Sequence, residues 1–349
     1  MTCIISHTTA LAYWATRGPG ERMLPIFAPQ ELSDITANAQ DAHTAGIVLA
    51  AAGLQDYGNS STTPRRPLHL LVHRRSARRK STGIVYHAQA ARLNNNDGRF
   101  SGGISPERFA CGTFCRLTHG VWIASPEQCL LEMAGILPSV CQLVEVVNLL
   151  CGQYYLSPDG KDRVGTRKSL TSRAAIRSYL THMSGRRWAN RLNRALAFSH
   201  DLVASPPENF IATEFGLPPQ LGGRGFPEFE CNRRYDLKDS RLSRAIGKKY
   251  LVEDVGFVDS KNCIEWDSYE EHMDKQAYDW TQKRANLLRA DGVQVFSLTF
   301  GQVVGDVFDD TVWAIEEQFR FLHPTVSKAE RLLQHQVHSF LFRPGRRLF

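Results

Sequence analysis

Along the first sixty residues the apolar positions cluster at helical rather than strand spacing. Thr8 to Trp14 is compact and apolar, and Ala28 to Gly53 is Ala-rich, so short helices are expected there. The period then changes. Leu68 to Val72 and Gly83 to Tyr86 are short β-like runs joined by a loop that carries Arg74, Arg75, Arg78, Arg79 and Lys80. After the turn residues Asn94 to Gly98 and the Gly102-Gly103 pair, His119 to Ala124 predicts a strand leading into Ser125-Pro126-Glu127-Gln128. Ser at the N-cap, Pro at the first helical position and Gln at the third form a capping box, so a helix starts there with Leu130, Leu131, Ala134 and Leu137 as its core face. Cys129 to Cys151 is the most apolar stretch. It is broken by Pro138 and carries Glu132, Gln142, Glu145 and Asn148, which predicts two ordinary helices and no membrane span. Farther on, Arg187, Arg191 and Arg194 share one helical face while Trp188, Leu192, Ala195 and Leu196 share another, an amphipathic helix with a cationic stripe.

The texture changes near residue 200. Ser205-Pro206-Pro207-Glu208 is a second capping box, opening a helix that ends near Gly216, before Pro218-Pro219. A Gly- and Pro-rich link, Leu221 to Pro227, leads into strand-like residues ending near Asn232. Lys249 to Val258 predicts a strand, Asp259-Ser260-Lys261-Asn262 its turn, and Cys263 to Asp267 the returning strand. Met273, Ala277, Trp280, Leu287 and Leu288 then form a helical stripe flanked by Lys275, Asp279, Lys283 and Arg284, with Asp279 and Lys283 spaced as an ion pair. Gly292 ends that helix, Val293 to Thr299 predicts a buried strand, and Thr311 to Leu322 another helix. The expected fold class is α/β. A basic, mainly helical α+β region over about 1–200 precedes a small mixed sheet flanked by helices over about 201–325, and 326–349 forms a C-terminal helix and tail.

Composition narrows the function classes. The 349 residues suffice for two or three domains of about 100–200 residues, and 42% hydrophobic with 22% charged residues excludes a disordered or collagen-like chain. Lys and Arg number 42 against 35 Asp and Glu, a net charge of +7 that suits a polyanionic partner. The excess is concentrated: residues 57–96 hold eight Lys or Arg and no acid, and 163–200 hold nine and no acid. These stretches are either solvated loops or phosphate-tracking surfaces. The eight cysteines are irregularly spaced, as reduced core thiols are, and Cys111 with Cys115 lacks the second pair that a zinc site requires. The N-terminus has no basic segment followed by an apolar core and small-residue cleavage site, so no secretory signal is expected and the cytoplasm is the expected location.

The candidate chemistry lies on the two returning strands. Asp254 and Glu265 fall on adjacent strands, and Glu265 and Asp267, two apart, share a face. No Lys or Arg is interleaved between these carboxylates along the strands. The usual remedy for converging like charges is a hard divalent cation, Mg²⁺ or Mn²⁺, the alternative being an acidic strand end facing water. His272, five residues on, is placed for a proton shuttle, an outer-shell group or a plain loop residue. Lys283 and Arg284 are surface or ion-pair residues, or phosphate clamps.

Ser205-x-x-Glu208, Gly222-Gly223 with a following Pro, Asn232, Asp254, Ile264-Glu265-x-Asp267, His272, Lys283-Arg284, Leu288-x-x-x-Gly292 and Val295 with Thr299 and Gln302 together resemble the endonuclease-like domain related to very-short-patch repair enzymes, in the PD-(D/E)XK superfamily. The resemblance spans about residues 205–305. The preceding region is more loosely similar to AbiEi-type antitoxin or regulator-like proteins. The resemblance implies a restriction-endonuclease-like fold. It makes Asp254 and Glu265 metal-binding acids and sets Glu208 beside them, although a capping role accounts for Glu208 equally. Asp267 departs from the wider pattern by standing where many members place a lysine, and Ser268 stands where relatives often have Gly. The implied activity is Mg²⁺- or Mn²⁺-dependent DNA phosphodiester hydrolysis, with Arg74, Arg75, Arg78, Arg79, Lys80, Arg187, Arg191, Arg194, Lys283 and Arg284 as candidate DNA contacts. The alternative is a catalytically inactive DNA-binding regulator or antitoxin-like protein that keeps the nuclease fold.

Overall fold

A computed structural model of the chain describes residues 3–19, 26–27, 39–57, 66–72, 78, 83–88, 113–157, 164–183, 187–267, 275–304, 307–323 and 325–343. It divides into two compact units, one built on Met1–Ala197 and the other on Phe198–Arg346.

The first unit runs β1 (Cys3–Ile5), α1 (His7–Thr16), β2 (Ile26–Phe27), α2 (Ala39–Ala51), β3 (Leu68–Val72), β4 (Ile84–Ala88), β5 (Phe114–Thr118), β6 (Val121–Ala124), α3 (Pro126–Met133), α4 (Val140–Cys151), β7 (Tyr154–Leu156), β8 (Val164–Thr166), α5 (Arg173–His182) and α6 (Ala189–Leu196). Six strands form one mixed sheet in the order β2-β5-β6-β1-β3-β4. Its central strand β1 replaces the helical start expected for the N-terminus. Cys3, Ile4 and Ile5 are fully buried between two neighbouring strands, so they show no alternation to betray them. β3 and β4 pair in parallel, in register from Leu68 opposite Ile84 to Val72 opposite Ala88. α1 is buried from Thr9 to Thr16, and Trp14 donates its indole N–H to the Ala124 carbonyl at 2.8 Å.

α3 and α4 are interrupted around Pro138 as the pattern predicts, but the box expected at Ser125 stays half-made. Ser125 Oγ accepts the Gln128 N–H at 3.2 Å, whereas the buried Gln128 side chain donates to Glu132 and accepts from the Tyr179 hydroxyl. Inside a core those partners prevail, because an unpaired buried amide is costly. The complete box lies instead at Ser139 and Gln142, opening α4. Arg167, from the second acid-free stretch, is buried. It donates to the carbonyls of Trp14, Arg17 and Leu149, and so serves the fold rather than the surface.

The second unit runs α7 (Pro206–Gly216), β9 (Phe229–Asp236), α8 (Ser240–Ile246), β10 (Tyr250–Phe257), β11 (Asn262–Asp267), α9 (Lys275–Ala290), β12 (Gln294–Thr299), α10 (Phe300–Val303), α11 (Phe308–Phe319) and α12 (Lys328–Leu341). Its four-stranded sheet has the order β12-β11-β10-β9, antiparallel through β9, β10 and β11 and parallel between β11 and β12. α9 covers one face, where Ala285 and Leu288 pack on Leu251, Cys263, Val293 and Val295. On the other face Phe257 and Phe296 meet Phe319 of α11, with Phe226, Phe229 and Phe321 completing an aromatic layer. The Gly222-Gly223 pair is structural. Gly222 has φ +85°, and a Cβ on Gly223 would lie 2.0 Å from the Leu217 carbonyl oxygen. α12 packs on this turn, its Gln334 donating to the Gly223 carbonyl at 2.8 Å. The seven cysteines among the described residues are all buried. Among the described residues no helix is long and apolar enough to cross a membrane.

Candidate functional site

The antiparallel pairing of β10 with β11 includes Gly256 opposite Cys263 and Val255 opposite Ile264, and goes no further. At the next position Asp254 takes over the ladder: its Oδ2 accepts the Trp266 backbone N–H at 2.8 Å. The strands thus separate where the acids stand. On β9, Asn232 adopts φ +48° and donates from its side chain to the Leu202 carbonyl at 3.0 Å and to Glu208 Oε2 at 2.9 Å. Glu208, on the first turn of α7, also accepts the Ala204 N–H at 3.0 Å and the Ser205 hydroxyl at 2.8 Å. It caps the helix through Ala204 rather than through the Ser205 N–H that a capping box uses. Burial pushes the Glu208 carboxyl up and the charge of Asp254 pushes it further, while its three hydrogen bonds pull it down.

Glu265 on β11 is 1% exposed. Arg284 reaches it from α9, and the same Nη2 donates to Asp254 Oδ1 at 3.2 Å and Oδ2 at 3.3 Å. This corrects the expectation that the acids converge without a cation. Arg284 precedes Ala285 in the face that α9 lays on the sheet, so the packing that seats the helix also delivers the guanidinium. One charge does not balance the cluster. Burial first, and then the charge of Asp254, raise Glu265 to about 8 despite the opposing pull of Arg284. Burial likewise raises Asp254 against Arg284 and the Trp266 N–H. Among the described residues, Glu265 Oε1 and Asp267 Oδ1 are buried without a well-formed hydrogen bond, although the nearby Asp254 backbone N–H also draws the Glu265 carboxyl down, and Asp267 Oδ2 receives a 3.5 Å contact from Gln282.

The remaining candidates fall in different places. His272 lies outside the described residues, as do Arg74, Arg75, Arg79, Lys80 and Cys111; Arg78 and Lys283 are exposed. The cationic stripe on α6 is not uniform. Trp188 takes φ +76° as the N-cap, so Arg187 sits before the helix with its guanidinium 4.5 Å from the Trp188 ring centroid. Arg191 is half-buried and caps the Ala134 carbonyl at 2.9 Å, while Arg194 is exposed. Among the described residues no group of three or more His, Cys, Asp or Glu side chains could hold a metal ion as the side chains stand, the cluster around Glu265 included.

Sequence reasoning missed a cluster in the first unit. His7, from the start of α1, lies flat on His87 of β4 with ring centroids 3.5 Å apart and planes at 17°. His87 Nε2 and His69 Nδ1, from β3, share a hydrogen bond at 2.9 Å. Behind His7 stands Glu132, which accepts its backbone N–H at 2.8 Å. Burial and the neighbouring rings push His7 down to about 2, and His87 falls to about 4 mainly by burial. The local signal was faint: a histidine at one position of each apolar strand, with Glu132 far away in the chain.

Compared with protein-family models, curated proteins and solved structures, the chain matches none.

Proposed function

We propose that the second unit is a metal-dependent phosphodiesterase acting on DNA. The observation that carries this reading is the gathering of Glu208, Asp254 and Glu265 from a helix and two strands, with Asp267 two positions beyond Glu265, at the point where β10 and β11 part. Acids on adjacent strands of a mixed sheet covered by helices on both faces agree with the resemblance to PD-(D/E)XK endonucleases. In this reading Asp254, Glu265 and Asp267 are the residues that would hold Mg²⁺ or Mn²⁺, which requires Arg284 to give up its pairing with Asp254 and Glu265 and the three carboxylates to draw together. When bound, such a cation polarises a phosphodiester and makes water a competent nucleophile at neutral pH.

The chain's own groups do the positioning. Asn232, Ser205 and the Ala204 N–H hold Glu208 beside Asp254, and the Trp266 N–H fixes Asp254. Arg284 favours the ionised form of both Asp254 and Glu265. It also supplies positive charge to a site whose Asp267 stands where the wider pattern has lysine. The net charge of +7 favours approach of a polyanion.

Arg284 supports a second reading too. A guanidinium already paired with two of the acids, and the lack among the described residues of any three-ligand group that could hold a metal ion, fit a regulator that keeps the fold without the chemistry. A plasmid and single-strand cleavage assay with Mg²⁺, Mn²⁺ or EDTA separates the two. The enzyme cuts with the metals, stops with EDTA and loses activity in Glu265→Gln. The regulator binds DNA identically in parent and variant and cuts nothing.

A further inference from the structure

We propose that residues 234–250, which carry the chain from β9 through α8 into β10, form a cationic platform by which the second unit holds the phosphate backbone of nucleic acid. Arg234, Lys238, Arg241, Arg244, Lys248 and Lys249 are all exposed there, against two acids, Asp236 and Asp239. Those acids interrupt the run, so the stretch lacks the acid-free signature of 57–96 and 163–200. The proposal rests on the DNA-directed reading of this unit but needs no cleavage.

The platform is held in shape by the core beneath it. Tyr235, Leu237 and Ile246 pack against the cluster that includes Leu251, Ala285 and Leu288. Asp291, just past the end of α9, accepts the Tyr235 hydroxyl at 3.0 Å and the backbone N–H groups of Lys238 at 3.0 Å and Asp239 at 3.2 Å. The Leu237 N–H donates to the Lys249 carbonyl at 3.0 Å and closes the base of the connection. With its apolar side chains claimed by the core, the basic ones are left facing water on a fixed backbone, which reduces the ordering that binding requires. The two acids pair with Arg234 at 2.8 Å and Arg241 at 2.7 Å. Such exposed pairs are weak, so a phosphate competes for either guanidinium. Arg234 also lies 4.3 Å from the centroid of the Tyr250 ring, which is 40% exposed and offers a planar surface for a base.

Its place in the sheet favours nucleic acid as the partner. Arg234 pairs with Val252, two residues from Asp254, and is itself two residues from Asn232, which holds Glu208. At about 3.3 Å per residue, the cations begin about 7 Å from the acids, and Tyr250 stands about 13 Å from Asp254. Phosphates of one strand recur about every 3.4 Å along a duplex axis, so a backbone laid along β9 and β10 reaches both the platform and the acids. An anionic membrane is the poorer match, because Leu237, Leu242 and Ile246 are partly buried rather than offered to a bilayer.

The test measures binding of the full chain to a labelled DNA duplex and a labelled single strand by fluorescence anisotropy across a salt series, in EDTA so that nothing is cut. A triple variant, Lys238→Gln with Arg244→Gln and Lys249→Gln, should bind at least about tenfold more weakly at low salt. Its salt slope should fall by about 0.9 per lost contact on the duplex and about 0.7 on the single strand. Loss on either form supports the platform, and its size on each identifies the form held. Lys328→Gln with Arg331→Gln, on the exposed side of α12, should change little. Should the triple variant fail to fold, bound DNA must still shield Lys238 and Lys249 of the parent, but not Lys328, from an amine-modifying reagent. A parent that binds DNA through these residues yet never cuts it with Mg²⁺ or Mn²⁺ keeps the platform and loses the nuclease. Unchanged affinity and slope in the folded triple variant, no shielding in the parent, or lost binding to phosphatidylserine vesicles with DNA binding intact overturns the platform, whether or not the parent cuts.

Discussion

Glu265→Gln keeps the size of the side chain and removes its charge, and its first consequence is on stability rather than activity. The Glu265 carboxyl is raised from 4.5 to about 8. Between those values the folded protein keeps a proton that the unfolded chain releases. Stability therefore falls as pH rises through this window, at up to about 1.4 kcal/mol per pH unit. From pH 5 to pH 8 the parent loses roughly 3–4 kcal/mol through this one group, and above pH 8 the loss levels off. The variant has no proton to release at this position, so its profile should be flatter by about that amount and the variant should be the more stable form at pH 8. Asp254 and Glu208 are raised in the same direction, so the difference between the two profiles, rather than either profile alone, is the quantity to read. Urea unfolding at pH 5, 6, 7 and 8, following the transition of the second unit by fluorescence and circular dichroism, measures it. Parallel profiles, or a parent that gains stability as pH rises over this range, would refute the buried, charge-crowded environment assigned to Glu265.

Three further outcomes follow from the same geometry. Arg284→Met leaves Asp254 and Glu265 without their cation and should cost about 3–5 kcal/mol at pH 8 but much less at pH 5, where the acids take up protons; equal losses in urea melts at both pH values would contradict it. Gly223→Ala drives a methyl into the Leu217 carbonyl, so it should destabilise the second unit by about 1–3 kcal/mol or more, seen as a lower Tm in calorimetry, whereas an unchanged Tm would mean the turn is not as tight as described. Arg187→Glu and Arg194→Glu should each lower the salt dependence of DNA binding by about 0.9 for every phosphate the side chain had neutralised, while Arg191→Glu should mainly lower the stability of the first unit by uncapping the Ala134 carbonyl; identical salt slopes in fluorescence anisotropy would remove α6 from the DNA-binding surface.

Much of the second unit could be read from the chain because its signals are local. The Asp259 to Asn262 turn sets the register of β10 against β11 and so brings Asp254 opposite Glu265, while Gly292 and the apolar run after it announce β12. The break at Pro138 is equally local. What escaped reading depends on pairings distant in sequence. Arg284 pairs with Asp254 across thirty residues, and only the seating of α9 on the sheet reveals that it points inward. His7 meets Glu132 across 125 residues, in a sheet whose order no single strand announces. Gln128 and Glu208 both suit capping boxes by spacing, yet Gln128 is claimed by the core and Glu208 reaches past Ser205 to Ala204. The left-handed Trp188 cuts α6 short and takes Arg187 off the face it was expected to share.

Whether the second unit is a nuclease is decided by metal-dependent cleavage with the purified chain. Supercoiled plasmid and single-stranded DNA are incubated with Mg²⁺ or Mn²⁺ and with EDTA, using the parent and a folded Glu265→Gln variant that binds DNA at least as tightly. Nicking or linearisation by the parent is expected only when metal is present, and none by the variant. A parent that binds DNA with ordinary affinity yet cuts neither substrate under either metal would contradict the nuclease and leave the regulator.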